Sequence, residues 1–422
     1  MTEHDLEKDL TEKTKLIEEK IKPIHDEIER IEFKNQEKVL SAFRKHRVSD
    51  FHFTPSTGYG YDDTGRDVLE NVYAEVFGAD DAIVRPHIIS GTHAISIALS
   101  GVLRPNDELL YITGKPYDTL EEIVGIRGDG KGSLKEFGIT YQSVNLTDEG
   151  NINFEAVQNM IHENTKMIGI QRSKGYADRR SFTINEIEKA ITFVKSIKPD
   201  VIVFVDNCYG EFVEEMEPTQ IGADLIAGSL IKNPGGGLAK IGGYIAGRED
   251  LIELCAYRLT SPGLGKEAGA SLDTLLDMYQ GFFLAPHVVS QSLKGAVFTA
   301  ALMEDYGFDT SPKWNATRTD LVQSVKFHDA NYMIQFCQSI QKASPVNAHV
   351  VPHPSYMPGY EDDVIMAAGT FIQGSSIELS ADGPIRAPFE AYVQGGLTYA
   401  HVKIAVQSAL QEILKNGLNN GK

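Results

Sequence analysis

The chain is poor in the residues that would mark a disulfide scaffold, a membrane protein or a nucleic-acid binder. Its only cysteines are Cys208, Cys255 and Cys337. They form no CxxC pair, and an odd number without pairing spacing argues against a disulfide framework and points to a reducing cytoplasm. Basic residues are outnumbered, 40 against 59 acidic ones, which gives a formal net charge of -19. So acidic a balance disfavours nucleic acid or an anionic membrane as the main partner. No apolar run approaches the roughly 20 residues that cross a bilayer. The opening "MTEHDLEKDLTEKTK" has no apolar stretch of the kind a secretion signal needs. No HExxH-like spacing of histidines occurs, so no metal site is expected. Repeats and low-complexity segments are absent too.

What is present is ordinary for a soluble globular protein: 42% hydrophobic and 23% charged residues over 422 positions. That length suits roughly two to three domains. Between Glu3 and Arg47 the residues Ile17, Ile21, Ile24, Ile28 and Ile31 recur at helical spacing. Residues 1–50 therefore read as an arm of one or two amphipathic helices, with Pro23 as a break or a first turn. Such an arm packs on the body or on a partner subunit.

Strand and helix patterns then alternate. "DDAIVRPHIIS", "DELLYITG", "TKMIGIQ" and "VIVFVD" are strand-like, while "GTHAISIALSGVL" and "NEIEKAITFVKSI" are helix-like. Apolar strands without polar alternation, separated by helices, imply an α/β domain with a mostly parallel sheet covered on both faces. This domain takes residues 51–290, and a smaller α+β domain follows over 291–422.

In such sheets function gathers at the carboxyl ends of strands, where three features stand out. Ser90, Gly91 and Thr92 form a small-residue turn into a helix; this is either a plain turn or an anion site built from free N–H groups. Asp206 ends "VIVFVD", either as a helix cap or as the partner of a cation. Lys232 ends the apolar run "ADLIAGSLI", either as an exposed turn residue or as a reactive amine whose pKa falls among apolar walls. Pro234 and the glycines after it stop regular structure and let backbone approach a ligand.

Taken together, "SGTHAI", "GKPYDT", "VFVDNCYGEF", "GSLIKNPGGG" and "ELSADGPIR" resemble the fold-type I pyridoxal phosphate (PLP) enzymes. The resemblance narrows to the cystathionine β-lyase / methionine γ-lyase group and, within it, to the branch named for aluminium resistance. It implies the PLP-dependent transferase fold. It also implies that Lys232 bonds the cofactor covalently, that Asp206 pairs with the pyridine nitrogen, and that Gly91, Thr92 and Ser229 hold the phosphate. Tyr117 would stack on the ring, Tyr59 would reach a neighbouring subunit's phosphate, and Arg386 would grip the substrate carboxylate. Active sites shared in this way imply a homodimer or homotetramer.

The chain also departs from the group's pattern. Ile231 stands where a hydroxyl residue precedes the lysine, and Tyr61 stands where an arginine is usual, with Arg66 as a possible substitute. The group's asparagine against the cofactor's phenolic oxygen is missing, which leaves Arg172 or Ser173 for that place. The reaction implied is elimination from a sulfur-containing amino acid, giving a 2-oxo acid, ammonia and a thiol. Transamination and a low-turnover stress-related binding role are the alternatives. Nothing in the residues supports a direct role for aluminium.

Overall fold

Seven short apolar runs become the strands of one sheet: β1 (Asp81–Arg85), β2 (Glu108–Tyr111), β3 (Thr140–Ser143), β4 (Thr165–Gln171), β5 (Ile202–Asp206), β6 (Leu225–Ser229) and β7 (Gly243–Gly247). Their order is β1-β7-β6-β5-β4-β2-β3. β2 to β6 pair in parallel, and β7 runs antiparallel to both β6 and β1. Every residue of β2, β5, β6 and β7 is buried, which is why these segments lack polar alternation. The expected mostly parallel α/β sheet is present. The computed structural model describes residues 3–357 and 360–420, and this sheet belongs to a compact unit spanning Lys34–Ala285.

One face of the sheet is covered by the helix Gly91–Val102. Its Ile95, Ala98 and Leu99 join Ile83, Leu109 and Phe204 of the strands in a single apolar cluster. Strand register aligns the carboxyl edge. Gln171 lies opposite Asp206, and Asp206 opposite Ala227, so the carboxyl ends of β4, β5 and β6 lie side by side.

The glycines after Lys232 serve a different purpose from the one their sequence suggests. The Cβ of an alanine at Gly235 would collide with the Leu230 carbonyl oxygen. Gly236 sits at φ +53°, with its missing Cβ against the Gly281 carbonyl oxygen of the helix Leu275–Asp305. The close approach is thus to this helix rather than to a ligand. Two backbones meet where no side chain fits, and the lysine turn is clamped onto a long helix.

The N-terminal segment forms one helix, Glu3–Lys45, that continues through Pro23. Pro23 removes one backbone donor, but it lies on the exposed side while Ile17 and Ile21 before it and Ile28 after it are buried. Packing on both sides keeps the helix continuous. It begins in one compact unit and passes at Lys34 into the other.

The residues before Lys34 and from Pro286 onward make up the second unit. Its sheet is antiparallel throughout, with β8 (Asp309–Ser311), β9 (Gln323–Lys326), β10 (Val364–Ala367), β11 (Ser380–Pro384) and β12 (Glu390–Gln394) in the order β10-β11-β12-β9-β8. The helices Ala330–Lys342 and Tyr399–Asn420 accompany it. Among the described residues no helix is long and apolar enough to cross a membrane.

The glycine clamp has a measurable consequence. Gly281→Ala would drive a Cβ into the Gly235 carbonyl oxygen. We expect a loss of at least about 2 kcal/mol in urea unfolding, whereas alanine at Gly114, which would meet no atom within 4 Å but sits at φ +85°, should cost only that backbone strain, about 1 kcal/mol.

Candidate active site

A cleft opens at the carboxyl edge of the parallel strands. The ends of β4 and β5 bring Gln171 and Asp206 to it, and the turn after β6 brings Lys232. The start of the Gly91–Val102 helix supplies Gly91 and Thr92, and the loop after β2 supplies Tyr117. Six of the residues singled out from sequence, Ser173 among them, therefore share one cavity.

The helix start is prepared for an anion. Ser90 caps it, its hydroxyl accepting the His93 N–H at 3.0 Å, while His93 Nδ1 accepts the Ile89 N–H at 3.2 Å. Gly91 and Thr92 occupy the first two helical positions, whose N–H groups have no partner inside a helix. Ser229, at the end of β6, is only 1% exposed, and its hydroxyl is buried without a hydrogen-bond partner. A Cβ added to Gly91 would stand 3.2 Å from Cys208 Sγ and 3.4 Å from Ser229 Cβ. Glycine thus leaves a small cradle between the helix start and Ser229.

Asp206 is 5% exposed, and its carboxylate accepts the Cys208 N–H at 3.1 Å. Burial pushes its carboxyl above the usual range, and Lys232, Cys208 and Arg179 pull back only in part. The group needs a cation to stay charged at little cost.

Lys232 Nζ lies 4.1 Å from the centre of the Tyr209 ring. Tyr209 adopts a left-handed φ of +70°, a strained conformation for a tyrosine. The lysine differs from its sequence expectation. Burial is the largest influence and lowers its pKa, yet the net shift is upward, because Cys208, Tyr209, Asp206 and Glu211 all favour the charged amine. Burial drives the Cys208 thiol itself far up, so it is neutral at pH 7. The anion that holds the ammonium there is Asp206. Apolar walls alone would have discharged the amine; apolar walls containing a carboxylate do the opposite.

Tyr117 packs against Gly175 and Tyr176: a Cβ at Gly175 would stand 2.8 Å from Tyr117 Cδ2, and the Tyr176 ring lies 6.1 Å away, ring centre to ring centre, tilted by 52°. Several cleft residues were not foreseen. Thr119 shares a 2.9 Å hydroxyl contact with Thr92, and Gln171 turns a buried, unpartnered Oε1 into the region while its Nε2 donates to the Ser173 carbonyl at 2.9 Å. Gln171 ends a strand as Asp206 does, so the same rule would have found it. The Thr92–Thr119 pair has no such signal.

A family model described as methionine gamma-lyase matches residues 10–414. The chain belongs to the methionine gamma-lyase family. Bacillus subtilis YnbB is 67% identical over 412 residues, covering 97% of this chain and 98% of that protein. A Clostridium novyi structure named a carbon-sulfur lyase involved in aluminum resistance is 48% identical, covers 96% of each chain and superposes with a TM-score of 0.93. A Listeria innocua structure, likewise named for aluminum resistance, is 66% identical with a TM-score of 0.94 over 95% of this chain and 98% of that one. The fold is that of the fold-type I PLP enzymes.

The structure explains two departures from the group's pattern, the missing asparagine and the tyrosine at position 61, and places Tyr59 and Arg386. Arg172 is fully buried and engaged by Asn207 at 2.9 Å and Glu214 at 3.1 Å, so of the two residues considered for the missing asparagine only Ser173 lines the cleft. Arg66 is 2% exposed, and its Nη1 donates to the Gly60 and Gly269 carbonyls at 2.6 and 3.1 Å. It pins the Tyr59 loop instead of standing in for an arginine at Tyr61. Tyr59 is 72% exposed, stacked on Tyr61 at 5.3 Å, and does not line the cleft. Arg386 belongs to the other compact unit, where it forms an exposed 3.2 Å ion pair with Asp362.

The orphan hydroxyl separates stability from binding. Ser229→Ala removes a buried polar atom with no partner, so ligand-free protein should keep its urea midpoint or gain up to about 1 kcal/mol. The same variant should bind inorganic phosphate and pyridoxal phosphate more weakly by titration.

Proposed function

We propose that the chain is a pyridoxal 5'-phosphate-dependent carbon–sulfur lyase, acting on a sulfur-containing amino acid to give a 2-oxo acid, ammonia and a thiol. The observation that carries this reading is the convergence of Lys232, Asp206 and the Gly91–Thr92 helix start on one cleft, in a chain of the methionine gamma-lyase family.

The residues present fit the cofactor. The Gly91 and Thr92 amides and the orphan Ser229 hydroxyl suit a phosphate. The buried Asp206 carboxyl suits a protonated ring nitrogen, the Tyr117 ring suits the face of a pyridine, and Lys232 suits an aldehyde. When bound, pyridoxal phosphate supplies an electron sink for the carbanion formed at the substrate Cα.

The remaining work falls to the chain's own groups. Asp206 neutralises whichever cation it faces. With a ring N–H as its partner it no longer holds the Lys232 ammonium, and the amine is free to act as a base. Lys232 Nζ then takes the Cα proton. Arg386 is assigned to the substrate carboxylate on family resemblance, since a guanidinium fork holds that group in two hydrogen bonds. One PLP scaffold supports several reactions, so the reaction is set by the groups around the substrate.

Visible absorbance of the purified protein tests the cofactor. The wild type should be yellow and Lys232→Ala should lose the covalent band; a colourless wild type after incubation with pyridoxal phosphate overturns the reading. Amino acids supplied singly test the reaction, through assays of 2-oxo acid, ammonia and thiol. Oxo acid formed without ammonia, and only with an added amino acceptor, makes the enzyme an aminotransferase instead.

A homo-oligomer with shared sites is part of the same proposal, supported by an exposed, stacked Tyr59–Tyr61 pair on a loop pinned by Arg66. Tyr59→Phe should weaken cofactor binding with the thermal midpoint unchanged. Equal affinity removes Tyr59 from the site.

A further inference from the structure

Beneath the cleft lies a carboxyl group that the proposed chemistry does not use. Glu211 is fully buried in the loop that follows β5. Its Oε1 accepts the Tyr244 hydroxyl of β7 at 2.7 Å, and its Oε2 is buried with no partner. Its main-chain carbonyl accepts Asn233 Nδ2 at 2.9 Å. Gly228 of β6 makes room for the carboxyl, since a Cβ there would collide with Oε1.

The contacts around Glu211 join the two groups on which the proposed function rests. Asn233 directly follows Lys232, and Asn207 directly follows Asp206. Asn207 Nδ2 donates to Glu217 at 2.9 Å and reaches the Tyr244 hydroxyl at 3.4 Å. From Asn233 through Glu211 and Tyr244 to Asn207, one buried chain ties the lysine turn to the aspartate loop.

The charges facing Glu211 do not pair it. Tyr73 of the helix Thr64–Phe77 and Tyr244 of β7 are neutral phenols, and Cys208 on the same loop is a neutral thiol. Glu217, also on that loop, is a second acid. Arg172 is engaged by Glu217 at 3.6 Å and by Glu214 at 3.1 Å. Lys38 also acts on Glu217. That leaves Lys232 as the cation acting on Glu211 itself.

Resting on the lyase reading above, we propose that Glu211 is a positioning residue held as a neutral acid, which couples the Lys232 turn to the Asp206 loop and sets the alkaline limit of cofactor retention. Burial, the dominant influence, supports this by raising its pKa from 4.5 to about 8. The sign follows from linkage. The folded state keeps a proton that the unfolded chain has lost, so wild-type stability declines relative to a non-ionising variant between pH 4.5 and about 8, and the deficit is constant above that.

Glu211→Gln keeps the shape and the acceptor for Tyr244 but cannot ionise. The wild-type dissociation constant for pyridoxal phosphate, divided by that of Glu211→Gln at the same pH, should be level up to about pH 8, then rise by up to about tenfold per pH unit. Glu211→Gln should keep only the pH dependence that Lys232 and the ligand impose on both proteins. Parallel profiles overturn the inference. If neither protein binds pyridoxal phosphate at any pH, the lyase reading fails, and ligand-free thermal midpoints still decide the state of Glu211. Glu211→Gln should then gain on the wild type across pH 4.5 to about 8, and no gain overturns the inference. Should Glu211→Gln fail to fold, Tyr244→Phe serves instead. It removes the donor that favours the charged form, so the alkaline onset should move to higher pH, and an unmoved onset overturns the inference.

Discussion

A buried carboxylate with a lysine amine as its counter-charge, at the carboxyl edge of a parallel sheet, is the constraint on which the rest of the site depends. Asp206 closes β5 at 5% exposure, where an unbalanced negative charge would be expensive. Lys232 balances it and is in turn kept charged by it, against the effect of its own burial. This mutual dependence makes the pair exchangeable: any cation that reaches Asp206 releases the amine. A protonated heterocycle is such a cation, and the anion-ready helix start nearby suits the phosphate it would carry. The site is better described as a charge balance awaiting substitution than as a lysine made reactive by apolar walls.

Holding that balance takes backbone as much as side chains. The lysine turn is clamped where Gly235 and Gly236 meet Gly281 with no room for a Cβ. On the other side, left-handed Tyr209 and Phe212 bend the loop after β5 so that Glu211 and Glu217 turn inward. The buried acids, Tyr244 and two asparagines then form a polar layer under the cleft. Such layers are tolerated when their members are hydrogen-bonded, and they specify one arrangement of the loops they join.

Much of this was legible in the sequence because local chemistry announces itself. Continuous apolar runs revealed the buried parallel strands. A strand that ends in aspartate, and a small-residue turn that opens a helix, placed Asp206, Gly91 and Thr92 at the functional edge before any coordinates. The helical spacing of Ile17, Ile21 and Ile28 was equally clear, but the effect of Pro23 was not. Whether a proline ends a helix depends on the packing of the turns on either side, and that packing is tertiary.

Residue type and order alone thus determined the sheet class, the family and several residues that line the cleft, because strands, caps and turns depend on neighbours a few positions away. Only the tertiary structure decided the direction of the Lys232 shift, since that depends on which distant carboxyl lies beside the amine. It alone turned Arg172 and Arg66 into structural ties and showed the NPGGG glycines facing a helix. It also revealed Glu211, which in sequence is one acid among 59 acidic residues. Charge, unlike periodicity, acts through space, and its effect is set by partners that the chain brings together only on folding.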